Sequence, residues 1–419
     1  MKTIITILLL VPLTLFSQTS GIAFFEGTWK QALKKAKKEN KLLFVDCYAD
    51  WCGPCKWMDK NVFPTEEAGA FYNKHFISYK LDMEKGEGPE IKKKYEVKSY
   101  PAYLYVDGEG KTLHRTGGRM NTEAFIAAGQ TALDPQQRLD FFAKKYEAGD
   151  NSLDLIEKYA AMQTAAGKYD KAKEAVRRYL AQFDEKSMAD EDKWELVKKY
   201  CAGFSDKEYQ YVLENKQLFT DAQGEEAATY LYQGAYAELW KAGKNKDEAK
   251  FQTLLAVISG NVKQEYVEKS VLNARLTYYE NAGRWDEYAT AAVQYIENGY
   301  YKLPAEASEE VKERLAADNM SYEDYIRKAE STRLNNHAWD FYEHIDQPDL
   351  LQKALGWVER SIELDENYYN LDTYAALLFK TGNTAKAAEI ANKAIEAAKA
   401  NGEDYSATEQ LLKKYTGGN

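Results

Sequence analysis

Proline is spread unevenly along this 419-residue chain, and no other feature limits its fold as much. Six of the eight prolines (Pro12, Pro54, Pro64, Pro89, Pro101, Pro135) lie in the first third, and only Pro304 and Pro348 punctuate the rest. Proline lacks a backbone N–H and costs about 3 kcal/mol inside a helix, so a long proline-poor stretch rich in Ala, Glu, Lys, Leu and Tyr predicts helix after helix. Before Pro135 the pattern alternates. Leu42 to Tyr48 is an apolar run broken only by Asp46, Phe76 to Leu81 and Ala102 to Val106 are short strand-like runs, and helical spacing appears at Trp29, Leu33 and Ala36 and over Phe125 to Ala132. This predicts an α/β fold with a central sheet over residues 21–135, followed by an all-α solenoid over 139–417. At roughly 150 residues per domain, the length suits two or three domains with sizeable cores.

The N-terminus reads as a removable address. Lys2 is followed by an apolar run from Ile4 to Phe16, interrupted only by Thr6, Pro12 and Thr14, and then by Ser17, Thr19 and Ser20. That order is the pattern of a secretory signal peptide over residues 1–20, too short to span a bilayer as a helix. No later segment approaches roughly eighteen consecutive apolar residues. The expected mature protein is therefore exported and not membrane-embedded: periplasmic in a Gram-negative cell, otherwise extracellular. With Lys+Arg 56 against Asp+Glu 66 the net charge is -10, which lacks the electrostatic footprint of a nucleic-acid binder. The lysine runs around Lys34 to Lys38 and Lys92 to Lys94 read as solvated helix faces.

Four cysteines are too few for a disulfide scaffold, but two of them form a pair. Trp51-Cys52-Gly53-Pro54-Cys55-Lys56 follows a strand of buried type and opens a helix, the context in which a C-x-x-C pair carries thiol-disulfide chemistry. Two intervening residues let the sulfurs bond across one helical turn. The helix N-terminus favours a thiolate on the first cysteine, so Cys52 is the expected nucleophile and Cys55 the resolving thiol. A zinc site would need two further soft ligands at matching spacing, which Cys47, Cys201 and four scattered histidines do not supply. No metal or cofactor is expected, and Cys47 and Cys201 read as small buried hydrophobes.

The six-residue string resembles the active site of the thioredoxin family, and further matches lie outside it. In that resemblance Asp46 falls where the family has a buried acid that relays protons to the resolving cysteine. Lys80 matches the lysine paired with this acid. Tyr100-Pro101 matches the cis-proline facing the cysteines, and Gly117-Gly118 the glycine turn that lines the substrate groove. The resemblance implies that Trp51, Gly53, Pro54, Tyr100, Pro101 and Gly117 contact substrate. The stretch Trp57 to Phe63, before an extra helix, looks more like the C-terminal domain of DsbD than plain thioredoxin. A membrane electron donor of DsbD type is the implied partner, alongside exported protein thiols and disulfides. Tyr100 stands where the family has an aliphatic residue, and Cys47 where it has Phe.

In the helical half Gly167, Gly203, Gly243, Gly283 and Gly382 each close a helical stretch, at spacings that suit stacked two-helix units. The copy Leu371, Ala375, Leu378, Gly382, Ala387, Ala391, Ala394 resembles a tetratricopeptide repeat. Such solenoids expose surfaces suited to extended peptides. The polar cluster Leu334-Asn335-Asn336-His337-Ala338-Trp339 is the least repeat-like segment, and either caps a helix or lines a groove. The expected function is an exported protein-disulfide reductase whose helical half recruits substrates. The alternatives are an oxidase or isomerase of folding exported proteins, or a chaperone scaffold with an ancillary redox domain.

Overall fold

The computed structural model describes residues 21–309, 311–312, 315 and 320–416, and the expected signal peptide lies outside them. The chain divides into two compact units, Met1–Cys201 and Ala202–Asn419.

The first unit is built on a four-stranded sheet of order β2-β1-β3-β4, with β1 (Leu42–Tyr48), β2 (Phe76–Asp82), β3 (Ala102–Val106) and β4 (Thr112–Gly117). β1 pairs parallel with β2 and antiparallel with β3, and β3 pairs antiparallel with β4. Side chains alternate across a strand, so each central strand feeds two cores. Leu43, Val45 and Cys47 join Trp29, Ala32 and Ala36 of α1 (Trp29–Glu39) and Ile91 and Tyr95 of α4 (Gly88–Tyr95). On the opposite face, Phe44 meets Met58 of α2 (Gly53–Asn61), Tyr72 of α3 (Glu66–His75) and Phe125 of α5 (Thr122–Leu133). The result is the thioredoxin-like mixed sheet between helical layers.

The expected strands are found, but β4 is an addition. Its Thr112-Leu113-His114-Arg115-Thr116-Gly117 run carries two polar residues that are nonetheless buried, at 5% and 7% exposure. The helices beyond Pro135 make this possible. The first N–H of α6 (Leu139–Glu147) donates to His114 Nδ1 at 3.3 Å, while Arg115 NH1 donates to the Tyr95 carbonyl at 2.9 Å. Both α6 and α7 (Leu153–Ala165) pack on β4, and α7 packs on α8 (Tyr169–Leu180). Lys168, in the turn between α7 and α8, ion-pairs with Glu96 at the end of α4. The compact unit consequently runs on to Cys201, past the point that proline marks.

Among its described residues the second unit has helices and no strand. Successive helices joined by short turns pack side by side: Glu225–Lys244 on Glu248–Gly260, Val267–Ala282 on Trp285–Glu297, Tyr322–His344 on Pro348–Leu364, and Tyr368–Lys380 on Thr384–Asn401. Gly283 and Gly382 turn these corners at φ 70° and 89°, a backbone region where a Cβ is strained. Gly243 serves differently: it lies inside a helix, where a Cβ would come within 2.8 Å of the Tyr278 carbonyl oxygen.

Candidate active site

Strand β1 ends at Tyr48, and the chain turns through Ala49, Asp50 and Trp51 into α2, with Cys52 as the N-cap residue. Pro54 occupies the first helical turn, where its missing N–H leaves no bond unmade. Cys52 and Cys55 form a disulfide with Cα atoms 5.3 Å apart. Both residues are buried, at 2% and 3% exposure, so access alone does not distinguish them. Hydrogen bonding does: the Cys55 backbone N–H donates to Cys52 Sγ at 3.1 Å. An N–H donor at a helix start stabilises negative charge on the sulfur it faces, which here is that of Cys52.

The surroundings divide into an exposed and a buried part. Trp51 is 67% exposed, held by an Nε1–H donated to Glu84 at 2.8 Å and by edge contact with the Tyr100 ring at 5.8 Å. Gly53 and Pro54 are exposed beside it. The Tyr100–Pro101 bond is cis, and Tyr100 packs on the small cluster of Ala49, Cys52 and Cys55. Gly117 ends β4 under this loop, and a Cβ there would come within 2.7 Å of the Pro101 carbonyl oxygen. Gly118, at φ 86°, donates its N–H to that same oxygen at 2.9 Å. The two glycines thus let β4 approach the cis-proline loop.

Asp46 lies on the face of β1 that looks toward α2, and it is 1% exposed. Lys80 is its register partner on β2, with Nζ 3.7 Å from Asp46 Oδ2. Lys80 is within ion-pair distance of Asp46, and it forms a second, shorter ion pair with Asp59 of α2. Lys80 is also only half-buried and stands 4.8 Å from the Tyr48 ring centroid. Asp46 Oδ1 accepts no hydrogen bond. Desolvation is therefore the largest influence on this carboxyl; it outweighs the pull of Lys80, and the charge of Asp59 adds to it, raising the pKa to about 7. A buried acid poised near neutrality can hold or release a proton at little cost.

Asp59 escaped sequence reasoning because a polar residue on a helix reads as a solvated face. Its spacing from Cys55, four residues along α2, is a signal that could have flagged it. Cys47 lies on the opposite face of β1, buried among apolar residues that push its thiol well up. Neither Cys47 nor Cys201 is disulfide-bonded. Among the described residues, no group of three or more His, Cys, Asp or Glu side chains converges to hold a metal ion.

The chain matches the thioredoxin-like domain family over residues 29–133. Thioredoxin H2 of Arabidopsis thaliana is 33% identical over 109 residues, which cover 26% of this chain and 77% of that protein. The thiol:disulfide interchange protein DsbD of Pseudoalteromonas atlantica is 29% identical over 136 residues, 29% of this chain and 23% of its own. Among solved structures, a candidate disulphide isomerase from Bacteroides thetaiotaomicron shares 42% identity over 28% of this chain and 98% of its own, with a TM-score of 0.26. The chain spans less than half the length of the first curated relatives it matches, 23% and 43% of them. A paired Cys52 and Cys55 at the start of a helix on a mixed sheet, in a stretch whose sequence covers 77% of Thioredoxin H2, means that the chain belongs to the thioredoxin-like family of thiol-disulfide oxidoreductases.

Proposed function

We propose that the protein is an exported protein-disulfide reductase. The observation that carries this reading is the hydrogen bond from the Cys55 N–H to Cys52 Sγ at the N-terminus of α2, because it selects one sulfur as nucleophile. In the reduced protein, Cys52 attacks as thiolate on a substrate disulfide. One substrate sulfur leaves as thiolate and takes up a proton, and the other stays bonded to Cys52. Cys55 then loses its proton to Asp46, directly or through water, and attacks Cys52 Sγ. The second substrate thiol departs, two electrons have passed to the substrate, and the Cys52–Cys55 disulfide remains. Lys80 moderates the charge that Asp46 acquires.

The substrate strand lies along the Tyr100–Pro101 backbone like an added sheet edge, with Trp51, Gly53, Pro54 and Gly117 as the walls of its groove. A membrane electron donor of DsbD type regenerates the dithiol; the likeness to DsbD supports it. Residues 1–20 direct export and are removed. Residues 21–135 carry the chemistry, and a tetratricopeptide-like array within residues 139–417 recruits substrates. The helix pairs and their glycine corners support that array.

Replacing the resolving thiol tests the scheme. Cys55→Ser, expressed with its leader, should accumulate mixed disulfides between Cys52 and discrete exported proteins. A variant that traps nothing, or that traps through Cys47, sinks the reductase scheme. Failure to reduce trapped partners with the wild-type dithiol, combined with reshuffling of scrambled disulfides, would favour an isomerase instead.

A further inference from the structure

The polar cluster that sequence analysis leaves open lines a cavity of about 540 Å³ in the second unit. It belongs to the helix Tyr322–His344, and Asn335, His337, Trp339 and Asp340 face the space together with Tyr288 and Asp372. The polar groups here are short of donors. Tyr288 Oη donates to Asp340 and is 2.8 Å from His337 Nδ1. A hydroxyl has one proton, so with that proton on the carboxylate, His337 Nδ1–H is the donor to the Tyr288 oxygen. Asp372 accepts from Thr408 Oγ1 at 2.6 Å. Asn335 Oδ1 is cut off from solvent and accepts no hydrogen bond.

Carboxylates withdrawn from water are ordinarily paired with a cation, because a hydroxyl partner does not neutralise the charge. These two are not. The charged groups acting on Asp340 are Glu280 and Glu343, both acidic, and burial and Thr408 alone act on Asp372. Arg333 also lines the space and its charge acts on His337, but its NH1 donates to the Tyr301 carbonyl at 2.9 Å and it is not among the influences on either carboxylate. Glu280 adds a third carboxylate to the wall. Trp339 and Tyr369, the latter 60% exposed, add aromatic rings to the lining, a residue type that attracts cations. Unfilled acceptors, excess negative charge and aromatic faces together describe a ligand that is rich in N–H donors and positively charged.

We propose that this cavity receives one basic side chain, lysine or arginine, of an extended polypeptide, and so selects the substrates whose disulfides reach Cys52. The selection half of the proposal rests on the recruiting role proposed above, whereas the binding half does not. The ammonium or guanidinium donates to Asp340 and Asp372, its alkyl stem lies against Trp339 and Tyr369, and the peptide backbone stays outside.

Calorimetric titration of the full chain with a capped alanine pentapeptide carrying a central arginine tests the binding. The same peptide with citrulline, which keeps the shape and removes the charge, is the control. The arginine peptide should bind about tenfold or more tightly than the citrulline peptide, the margin expected of a charge-assisted contact. Asp340→Asn should erase that margin, and so should Tyr369→Ala, a change at an exposed rim that leaves the core untouched. Equal binding of the two peptides, or binding that survives both substitutions, overturns the proposal. Spermidine binding more tightly than the peptide overturns the polypeptide as occupant. None of these readouts involves a thiol, so a failed titration leaves the Cys52 chemistry standing, and an inactive Cys52 leaves the cavity standing. If both hold, Asp340→Asn lowers the yield of trapped natural substrates.

Discussion

Asp46 in the sheet-built unit and Asp340 in the helical unit are both carboxylates drawn out of water, yet they are served by different partners. Asp46 has a lysine 3.7 Å away, whereas Asp340 has a tyrosine hydroxyl and acidic neighbours. A count of partners would make Asp46 the stronger acid. The lysine does not make it so: both are raised, Asp46 to about 7 and Asp340 to about 6, with burial the largest cause at both. Asp46 is almost fully enclosed and Asp340 lines an open cavity, so the loss of hydration differs. Lys80, moreover, spends its closest contact on Asp59. A nearby cation says little about a buried acid until its other commitments are counted.

Removing the first charge should have the largest effect. Burial raises the folded-state pKa of Asp46 above its unfolded value, so between about pH 4 and 7 the folded chain keeps a proton that the unfolded chain has lost. Stability accordingly falls as pH rises through that window. Asp46→Asn should remove the fall and stabilise the chain at pH 8 by on the order of 4 kcal/mol, read by denaturant melts at pH 5 and 8. The same substitution should slow the resolution step at least about tenfold, as loss of a proton acceptor does. A variant with the wild-type pH profile would remove Asp46 from the relay.

Asp340→Asn makes the parallel measurement in the helical unit. Its window is narrower, between about pH 4 and 6, and its gain at pH 8 should be smaller, on the order of 2 kcal/mol, because the side chain keeps some solvent and loses a charged acceptor for Tyr288. An equal or larger gain than that of Asp46→Asn would break the comparison. The smallest effect is expected at Asp59. Asp59→Asn removes a charge that raises Asp46 and releases Lys80 toward it, so the midpoint that Asp46 imposes on the pH-rate profile should fall by roughly half a unit to one unit. A rise would mean that Asp59 holds Lys80 where Asp46 needs it.

Sequence patterning reached the sheet wherever strands are apolar. Leu42–Tyr48 and Ala102–Val106 were legible because fully covered strands need continuous apolar residues on both faces. β4 was not, since His114 and Arg115 look solvated until α6 and the end of α4 supply their partners. At the site, the Cys52–Cys55 pair was legible from one local string, and the cis bond at Pro101 followed from the family resemblance. The second partner of Lys80, Asp59, was not, because nothing local says that a lysine on a neighbouring strand will also meet a carboxylate on the helix. In the helical half, Gly283 and Gly382 announced corners, while Gly243 gave the same sequence signal for a close helix contact. Such cases differ only in what packs against them.

The packing of α6 and α7 on β4 bears on how this protein can be taken apart or re-engineered. A cut at Pro135, the natural choice from the chain's punctuation, would strip the cover from an edge strand and leave two buried polar residues facing water. Edge strands laid bare in this way are templates for intermolecular pairing. A redox module meant for transplantation into another scaffold would therefore carry its four following helices with it and be severed near Cys201. In such a graft the helices after Pro135 act less as the start of a separate helical arm than as the back wall of the sheet.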